Sequence, residues 1–225
     1  MDRKEIKERA KSFAFQNKWN IWKPFLILIG ISFGVELILA LLGYGPKLVE
    51  VAIDANGFTF YRMETSSAYD FITSLVGIAS IPLSFGVVYY IMNLIRGNKM
   101  DIKEIFSKYK YFLPLFILSL LIGLFTFLWS LLLIIPGIIF AFKMAMAGFI
   151  AADELDENTK PKDVMNKSKE MMDGHKWEYF VFNLSFIGWY LLIGITFGIA
   201  AIWVVPYVQT ANIMYYDKLK ELKNV

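Results

Sequence analysis

The sequence predicts an all-α polytopic membrane protein in which six transmembrane helices form three helical hairpins. The strongest indication is the stretch from Phe112 to Ala152, which contains a single formal charge, Lys143. Crossing a ~30 Å hydrocarbon layer takes about 20 apolar residues, so this stretch is long enough for two crossings. Of the 225 residues, 57% are hydrophobic, and the mean hydropathy is +0.50. We therefore expect a single membrane domain over residues 1–225.

The first segment, residues 1–24, is predicted to be an amphipathic helix on the inner membrane surface. Ile6, Ala10 and Phe13 fall on one helical face, and lysine, arginine and glutamate occupy the other. A helix that binds a partner is the alternative. Charge persists to Lys23 and no small-residue cleavage site follows a short apolar core, so we expect no cleavable signal peptide.

Hairpin one is predicted over residues 25–95, with helices from Phe25 to about Leu42 and from about Phe71 to Ile95. Its exterior loop, residues 45–69, contains alternating apolar residues and an Asn-Gly pair, a sequence typical of a β-hairpin turn. The β-hairpin is either a folded cap or an exterior recognition element whose strand edge accepts a peptide. The candidate recognition residues are Asp54, Asn56, Gly57, Phe58 and Phe60.

The later segments follow the same logic of apolar runs separated by charged loops. Pro136 favours a new helix start within the central run, since proline fits the first turn of a helix. The predicted inner loop 96–111 contains a short surface helix that presents Ile102, Phe106 and Tyr109 on one face. Hairpin two, 112–152, consists of helices from Phe112 to Leu131 and from Leu133 to Ala152, and the inner loop 153–178 contains a helix that begins near Thr159 and Pro161 and ends at Gly174. Hairpin three, 179–216, consists of helices from Tyr179 to Ala201 and from Ile202 to Tyr216, and a cytoplasmic tail, 217–225, follows.

Charge asymmetry predicts the orientation. The segments that share a side with the termini carry twenty lysines and arginines, whereas the opposite side has only Lys47 and Arg62. The positive-inside rule then places both termini in the cytoplasm. Aromatic belts agree if Trp22 and Trp177 mark inner boundaries and Trp129 and Trp203 mark outer ones.

Two charges at membrane depth require partners. Glu36 lies ~18 Å from the inner end of its helix, and Lys143 lies ~14 Å from the inner end of its own helix. A charge at a helix centre costs roughly 2.5–3.5 kcal/mol on insertion scales, so we predict that Glu36 faces Lys143. The pair either fixes helix packing or forms a polar site that a substrate or proton visits. The candidate intramembrane polar site comprises Glu36, Lys143, Asn183, Gln209 and Asn212.

Catalytic chemistry is not indicated. The chain has one histidine, His175, which we expect at a helix end, and it has no cysteine. We expect no catalytic residues, no cofactor, no metal and no nucleic-acid partner. An acidic run of Asp153, Glu154, Asp156 and Glu157 could hold a divalent cation through oxygen atoms, but its spacing fits a solvated loop better.

Several motifs are similar to a known family. They are Arg3 to Lys7, Ile134 to Ile139, the GHKW run within Ser168 to Trp177, the LSFIGW run from Leu184 to Trp189, and the segments Gly198-Ile199 and Trp203 to Tyr207. Over nearly the whole chain, they resemble a bacterial integral membrane protein family, domain of unknown function 975. That family is similar to the membrane region of glycerophosphoryl diester phosphodiesterases, and we expect no soluble catalytic domain here. The resemblance implies a six-helix protein of the bacterial plasma membrane without an assigned activity.

Three function classes follow from these observations. The first is a non-enzymatic membrane protein that acts by association, as a scaffold, accessory subunit or protective immunity-type factor, with the bilayer and a protein or peptide as partners. The second is a small-solute transporter or channel with a polar site around Glu36 and Lys143. A lipid-modifying enzyme is the third, and no motif favours it.

Overall fold

The computed structural model describes residues 2–53, 59–132, 134–156 and 158–223. The chain divides into two compact units, one of residues Leu26–Ser80 and the other of Met1–Phe25 with Ile81–Val225. We call them the hairpin unit and the main unit, and describe each by itself.

Helices make up most of the described chain. They are α1 (Arg3–Gln16), α2 (Lys18–Leu41), α3 (Ser67–Ala79), α4 (Ile81–Ile95), a 3₁₀ helix (Ile102–Tyr111), α5 (Phe112–Leu132), α6 (Ile134–Lys143), α7 (Ala147–Glu154), α8 (Pro161–Met171), α9 (Lys176–Leu184), α10 (Ile187–Ile195) and α11 (Ala201–Lys223). Two strands, β1 (Lys47–Ile53) and β2 (Thr59–Glu64), lie between α2 and α3.

Five helical segments in the described part of the chain are long and apolar enough to cross a membrane. They are Lys18–Leu41, Ser67–Ile95, Ile102–Leu131, Ile135–Glu154 and Lys176–Ile195. Most of their residues are unburied within the protein, as expected for helices that face lipid. These segments indicate a multi-pass membrane protein. The segment predicted as a sixth span, Ile202 to Tyr216, is helical within α11, but it is not among these five.

Three of these segments are interrupted where the sequence predicted continuous helices. The predicted helix from Phe71 to Ile95 divides at Ser80, whose hydroxyl donates to the Val76 carbonyl at 2.7 Å, and Pro82 follows in the first turn of α4. A serine bonded back to the preceding turn and a proline without an N–H group both favour such a break. The predicted helix from Leu133 to Ala152 divides between Lys143 and Ala147, and the predicted helix from Tyr179 to Ala201 divides between Leu184 and Ile187.

The end of hairpin three also differs from the prediction. The helix predicted to reach Ala201 already ends at Ile195, and α11 begins at Ala201. Between them, Phe197 and Gly198 adopt positive φ angles of 49° and 91°. These angles end a right-handed helix, and glycine adopts them without steric cost.

The hairpin unit contains the predicted β-hairpin. β1 and β2 are antiparallel, with Leu48 opposite Met63 and Glu50 opposite Tyr61, and a bulge interrupts the register between Glu50 and Ala52. The predicted Asn-Gly turn lies outside the described residues.

In the main unit, α4 packs closely against the 3₁₀ helix. A Cβ atom added to Gly86 would lie 1.7 Å from the Ile105 carbonyl oxygen, so this approach requires glycine. The predicted apolar face of the surface helix is wrong, because Ile105 and Lys108 are buried while Phe106 and Tyr109 are exposed. The predicted face assumed 3.6 residues per turn, whereas a 3₁₀ helix has 3.0 and therefore aligns residues three apart.

The helix α1 buries its apolar face against α11. The buried residues are Ile6, Ala10 and Ala14, close to the predicted set. The rings of Trp22 and Trp203 are 6.4 Å apart, so they do not mark opposite membrane boundaries, and that prediction is wrong. The reason is that the start of α2 continues alongside α11 instead of leaving at the end of α1.

The predicted helix in loop 153–178 is observed as α8. Its apolar side buries Val164, Met165 and Met171, and Gly174 has a φ of 81° where the chain turns. His175 follows as the N-terminal cap residue of α9, which confirms its position at a helix end.

Candidate functional site

The candidate recognition site is the β-hairpin, whose two faces differ in character. Residues directly opposite in an antiparallel pair point to the same face, and so do residues two apart on one strand. Leu48, Tyr61 and Met63 therefore share one face with Glu50, and the three apolar side chains are 71%, 61% and 68% exposed. We call this the apolar face.

The opposite face of the hairpin is mainly charged. Lys47 lies opposite Glu64 and Val49 opposite Arg62, and the Arg62 guanidinium forms an ion pair with Glu64 on the same strand. A hairpin with one apolar and one charged face normally buries its apolar face against other apolar groups.

The predicted recognition residues lay nearer the turn than this face does. Asp54, Asn56, Gly57 and Phe58 fall outside the described residues, and Phe60 lies in β2 opposite Ala52. Sequence reasoning passed over Leu48 and Tyr61, although the register of two alternating strands could have identified them.

The carboxylate of Glu36 has a partner that the sequence reasoning missed. Tyr69, in the first turn of α3, donates its hydroxyl to both carboxylate oxygens of Glu36, at 3.1 and 3.0 Å. Both residues belong to the hairpin unit, whereas Lys143 ends α6 in the main unit. The predicted pairing of Glu36 with Lys143 stays a prediction.

Two other members of the predicted polar site meet around Tyr179. Asn183 donates its side-chain amide to the Tyr179 carbonyl at 2.9 Å, and the Tyr179 hydroxyl donates to Asn212 Oδ1 at 2.9 Å. Asn212 is buried and also donates to the Val208 carbonyl at 3.0 Å. Gln209 is half-buried on α11. The two asparagines are thus held in place by hydrogen bonds to neighbouring helix groups.

A cluster of charged residues joins α7 and α11 to the residue that follows α4 in the main unit. Arg96 donates to both carboxylate oxygens of Asp153, at 2.6 and 3.0 Å, and to Asp217 at 2.6 Å. Lys220 bonds Asp153 at 2.9 Å and Glu154 at 2.6 Å. We call these five residues the charge cluster; Lys167 on α8 and Tyr216 on α11 add hydrogen bonds to its carboxylates.

The cluster perturbs the ionisation of its members at the ends of the helices. Hydrogen bonds from the guanidinium to Asp153 and Asp217 raise the pKa of Arg96. Burial would lower the pKa of Lys220, but hydrogen bonds to Glu154 and Asp153 outweigh burial and raise it. Burial raises the pKa of Asp217, because an ion pair to Arg96 only partly replaces its hydration.

The solvated acidic loop predicted for the run from Asp153 is therefore wrong for its first two members. Asp153 and Glu154 are the partners of lysine and arginine in the charge cluster, because the chain is still helical there and α7 packs against α4 and α8. Asp156 lies in a turn, where it accepts hydrogen bonds from the Asn158 and Thr159 amides. Glu157 lies outside the described residues.

Part of the chain is similar to a known protein family. The family model described as protein of unknown function (DUF975) matches residues 131–223. No curated protein and no solved structure matches the chain. The GHKW and LSFIGW motifs, in α8–α9 and at the break between α9 and α10, lie inside the matched region, and the motif Arg3 to Lys7 lies before it. From the last turn of α5 to the end of α11, the chain is thus similar to the DUF975 family.

Proposed function

We propose that this protein is a non-enzymatic integral membrane protein that acts by association, with its β-hairpin as the recognition element. The apolar face of Leu48, Tyr61 and Met63 carries the proposal, since large exposed apolar side chains outside the lipid-facing helices are typical of binding surfaces. The partner is a protein or peptide segment with apolar side chains.

The strands themselves offer a second means of binding. In the described part of the chain, β1 and β2 pair only with each other, so each has one edge with unpaired backbone groups. An extended peptide that adds to such an edge gains main-chain hydrogen bonds, while apolar side chains give specificity. Exposed edges and an adjacent apolar face support a peptide-like partner.

Packing of the intramembrane polar residues supports association over transport. Asn183, Asn212 and Glu36 each use their side chains in hydrogen bonds within their own unit. Side chains already hydrogen-bonded in this way are less available to a solute, so a small-solute transporter or channel built on them is the less favoured function.

For the topology, we propose six crossings of the bacterial plasma membrane with both termini in the cytoplasm. Asp2 and Glu5 line one cavity of about 260 Å³ together with Lys218 and Glu221, so the two ends of the chain lie together. Ends on one side require an even number of crossings, which favours one crossing beyond the five candidate spans. The twenty-to-two distribution of lysine and arginine supports a cytoplasmic side for both.

Crosslinking and capture from native membranes test the recognition role. The double variant Leu48→Ser/Met63→Ser removes two apolar side chains from the apolar face, and Val49→Ser/Arg62→Ser alters the opposite face as a matched control. We expect about tenfold less captured partner for the first variant, because each apolar side chain contributes ~1 kcal/mol or more when buried. The control should capture as much as the unmodified protein.

Folding and lipid binding are measured on the same samples. Both variants should keep the unfolding temperature of the unmodified protein in detergent, since the changed side chains are exposed. Recognition by this face would be contradicted if Leu48→Ser/Met63→Ser captured the same partners as the unmodified protein. It would also be contradicted if this variant lost only its binding to lipid vesicles.

A further inference from the structure

The main unit contains a groove of about 670 Å³ between α1 and the break that separates α9 from α10. One wall is a basic side of α1, with Arg3, Lys4, Lys7 and Lys11; the other includes Ser185 and Trp189. We call it the basic groove. Asp2 and Glu8 also line it, so its cations outnumber its carboxylates by two, four against two.

Lys7 fixes one side of the groove to the other. Its ammonium group donates to the Ser185 carbonyl and hydroxyl, both at 3.1 Å, and lies 4.7 Å from the centre of the Phe186 ring. Burial lowers the pKa of this lysine. The contact holds the basic side of α1 beside the point at which a membrane-spanning segment is interrupted.

The remaining cations of the groove are available to a ligand. Among the described residues, none forms an ion pair with Arg3, Lys4 or Lys11. Lys4, Lys7 and Lys11 follow one another at spacings of three and four, where like charges repel across a helix surface, and the single carboxylate of Glu8 between Lys4 and Lys11 offsets only part of this repulsion. The opposite face of α1 is buried on α11, so the helix cannot turn these charges away from the groove. An anion would relieve the repulsion.

An apolar surface continues from the groove along α10. Trp189 lines the groove, and the following turns of the same helix expose Leu192 and then Ile195. This helix belongs to the candidate membrane span Lys176–Ile195, so its exposed side chains face lipid tails. The break between α9 and α10 therefore brings the polar groove directly beside this apolar surface.

We propose that the basic groove binds one anionic glycerophospholipid, with its phosphate among the α1 cations and its acyl chains along α10. The juxtaposition of groove and apolar surface distinguishes this ligand from a free phosphate, which would use only the cations. Cationic side chains near a membrane surface contribute through attraction to anionic headgroups. The inference does not depend on the recognition role of the β-hairpin or on the number of crossings.

Native mass spectrometry of the full chain in a neutral detergent tests the site. Phosphatidylglycerol and phosphatidylcholine with identical acyl chains are titrated separately, and we expect one phosphatidylglycerol to bind at least tenfold more tightly. Lys4→Gln/Lys11→Gln should weaken that binding about 30-fold, given ~1 kcal/mol for each cation near an anionic surface. The matched control is Lys18→Gln/Lys23→Gln, which removes the same charge from exposed positions at the start of α2 and should leave binding unchanged.

Three outcomes would overturn the proposal: equal weakening in the control, equal affinity for both lipids, or displacement of the lipid by millimolar inorganic phosphate. The last would assign the groove to a small anion. A photoreactive phosphatidylglycerol adds a test on the unmodified protein, so that a misfolded variant does not decide the question. Its adducts should map to α1 and to Ser185 through Ile195, and adducts elsewhere only would contradict the site.

Discussion

At the scale of single residues, Glu36 shows how a carboxylate is accommodated in an apolar helix. The sequence predicted a distant lysine as its partner, because opposite charges at similar depth offset each other's cost of burial. Within the hairpin unit, a tyrosine hydroxyl already donates to both of its oxygens. Hydrogen bonds to charged groups are stronger than hydrogen bonds between neutral groups, so the Tyr69 hydroxyl by itself stabilises the Glu36 carboxylate.

We expect Tyr69→Phe to lower the unfolding temperature of the protein in detergent, because it removes the hydroxyl that donates to the charged carboxylate of Glu36. In a double-mutant cycle, Glu36→Gln/Tyr69→Phe should be less destabilised than the sum of the single variants. Thermal unfolding measures all three. Tyr61→Phe is the control, because its ring is exposed on the β-hairpin.

The same cycle with Lys143→Met tests the sequence-based pairing. If Glu36 and Lys143 also face each other, Glu36→Gln/Lys143→Met will show coupling of its own. If the stability losses of Glu36→Gln and Lys143→Met simply add in the double variant, the pairing is contradicted. If the losses of Glu36→Gln and Tyr69→Phe simply add, the hydrogen bond is contradicted.

At the scale of helices and strands, the charge cluster links the ends of α7 and α11 to the residue that follows α4. Asp153 is its centre, because it accepts from Arg96, Lys220 and Tyr216, and its side chain is only 10% exposed. Removing one partner of a buried ion pair leaves an uncompensated charge, whereas replacing both is far less costly.

Asp153→Asn should therefore destabilise the protein by about 2–3 kcal/mol, somewhat below the 3–5 kcal/mol for fully buried pairs because Arg96 and Lys220 are about one third exposed and keep other carboxylates. Because Arg96 also binds Asp217, we expect Asp153→Asn/Arg96→Gln to lose less stability than the sum of the two single variants, but no less than Asp153→Asn alone. Chemical or thermal unfolding in detergent measures both variants.

The exposed pair of Lys218 and Glu221 on the same helix supplies the control. Their side chains are 52% and 68% exposed, so Glu221→Gln should change the free energy of unfolding by only a few tenths of a kcal/mol. A loss for Asp153→Asn no larger than for Glu221→Gln would show that the cluster does not stabilise the ends of the helices.

At the scale of the whole molecule, the sequence predicted the helical membrane class and the β-hairpin, because long apolar runs and an Asn-Gly turn are local signals. It missed the breaks at Ser80 and Ser185 because apolar periodicity continues through them. It also missed the pairing of Asp153 with Arg96, since these residues are distant in the chain and only packing brings them together. The apolar face needed the strand register, which local sequence does not provide.

The topology gives the last prediction. The chain has no cysteine, so one introduced cysteine is the only thiol available to a membrane-impermeant maleimide. We expect Glu8→Cys and Glu221→Cys to react only after the cytoplasmic side is opened, because residues near both positions line one cavity. Glu50→Cys, on the β-hairpin, should react in intact cells. All three side chains are exposed, so burial within the protein does not mask them.

The pair of terminal positions decides between five and six crossings. With five, the less apolar α11 would not cross the membrane, and Glu221→Cys would react from the side opposite to Glu8→Cys. Such a result would also separate α1 from the end of α11 by a membrane, which contradicts the burial of Ile6 and Ala10 against that helix. Reaction of all three positions from one side would show that α2 does not carry the chain across the membrane, and it would overturn the six-crossing topology.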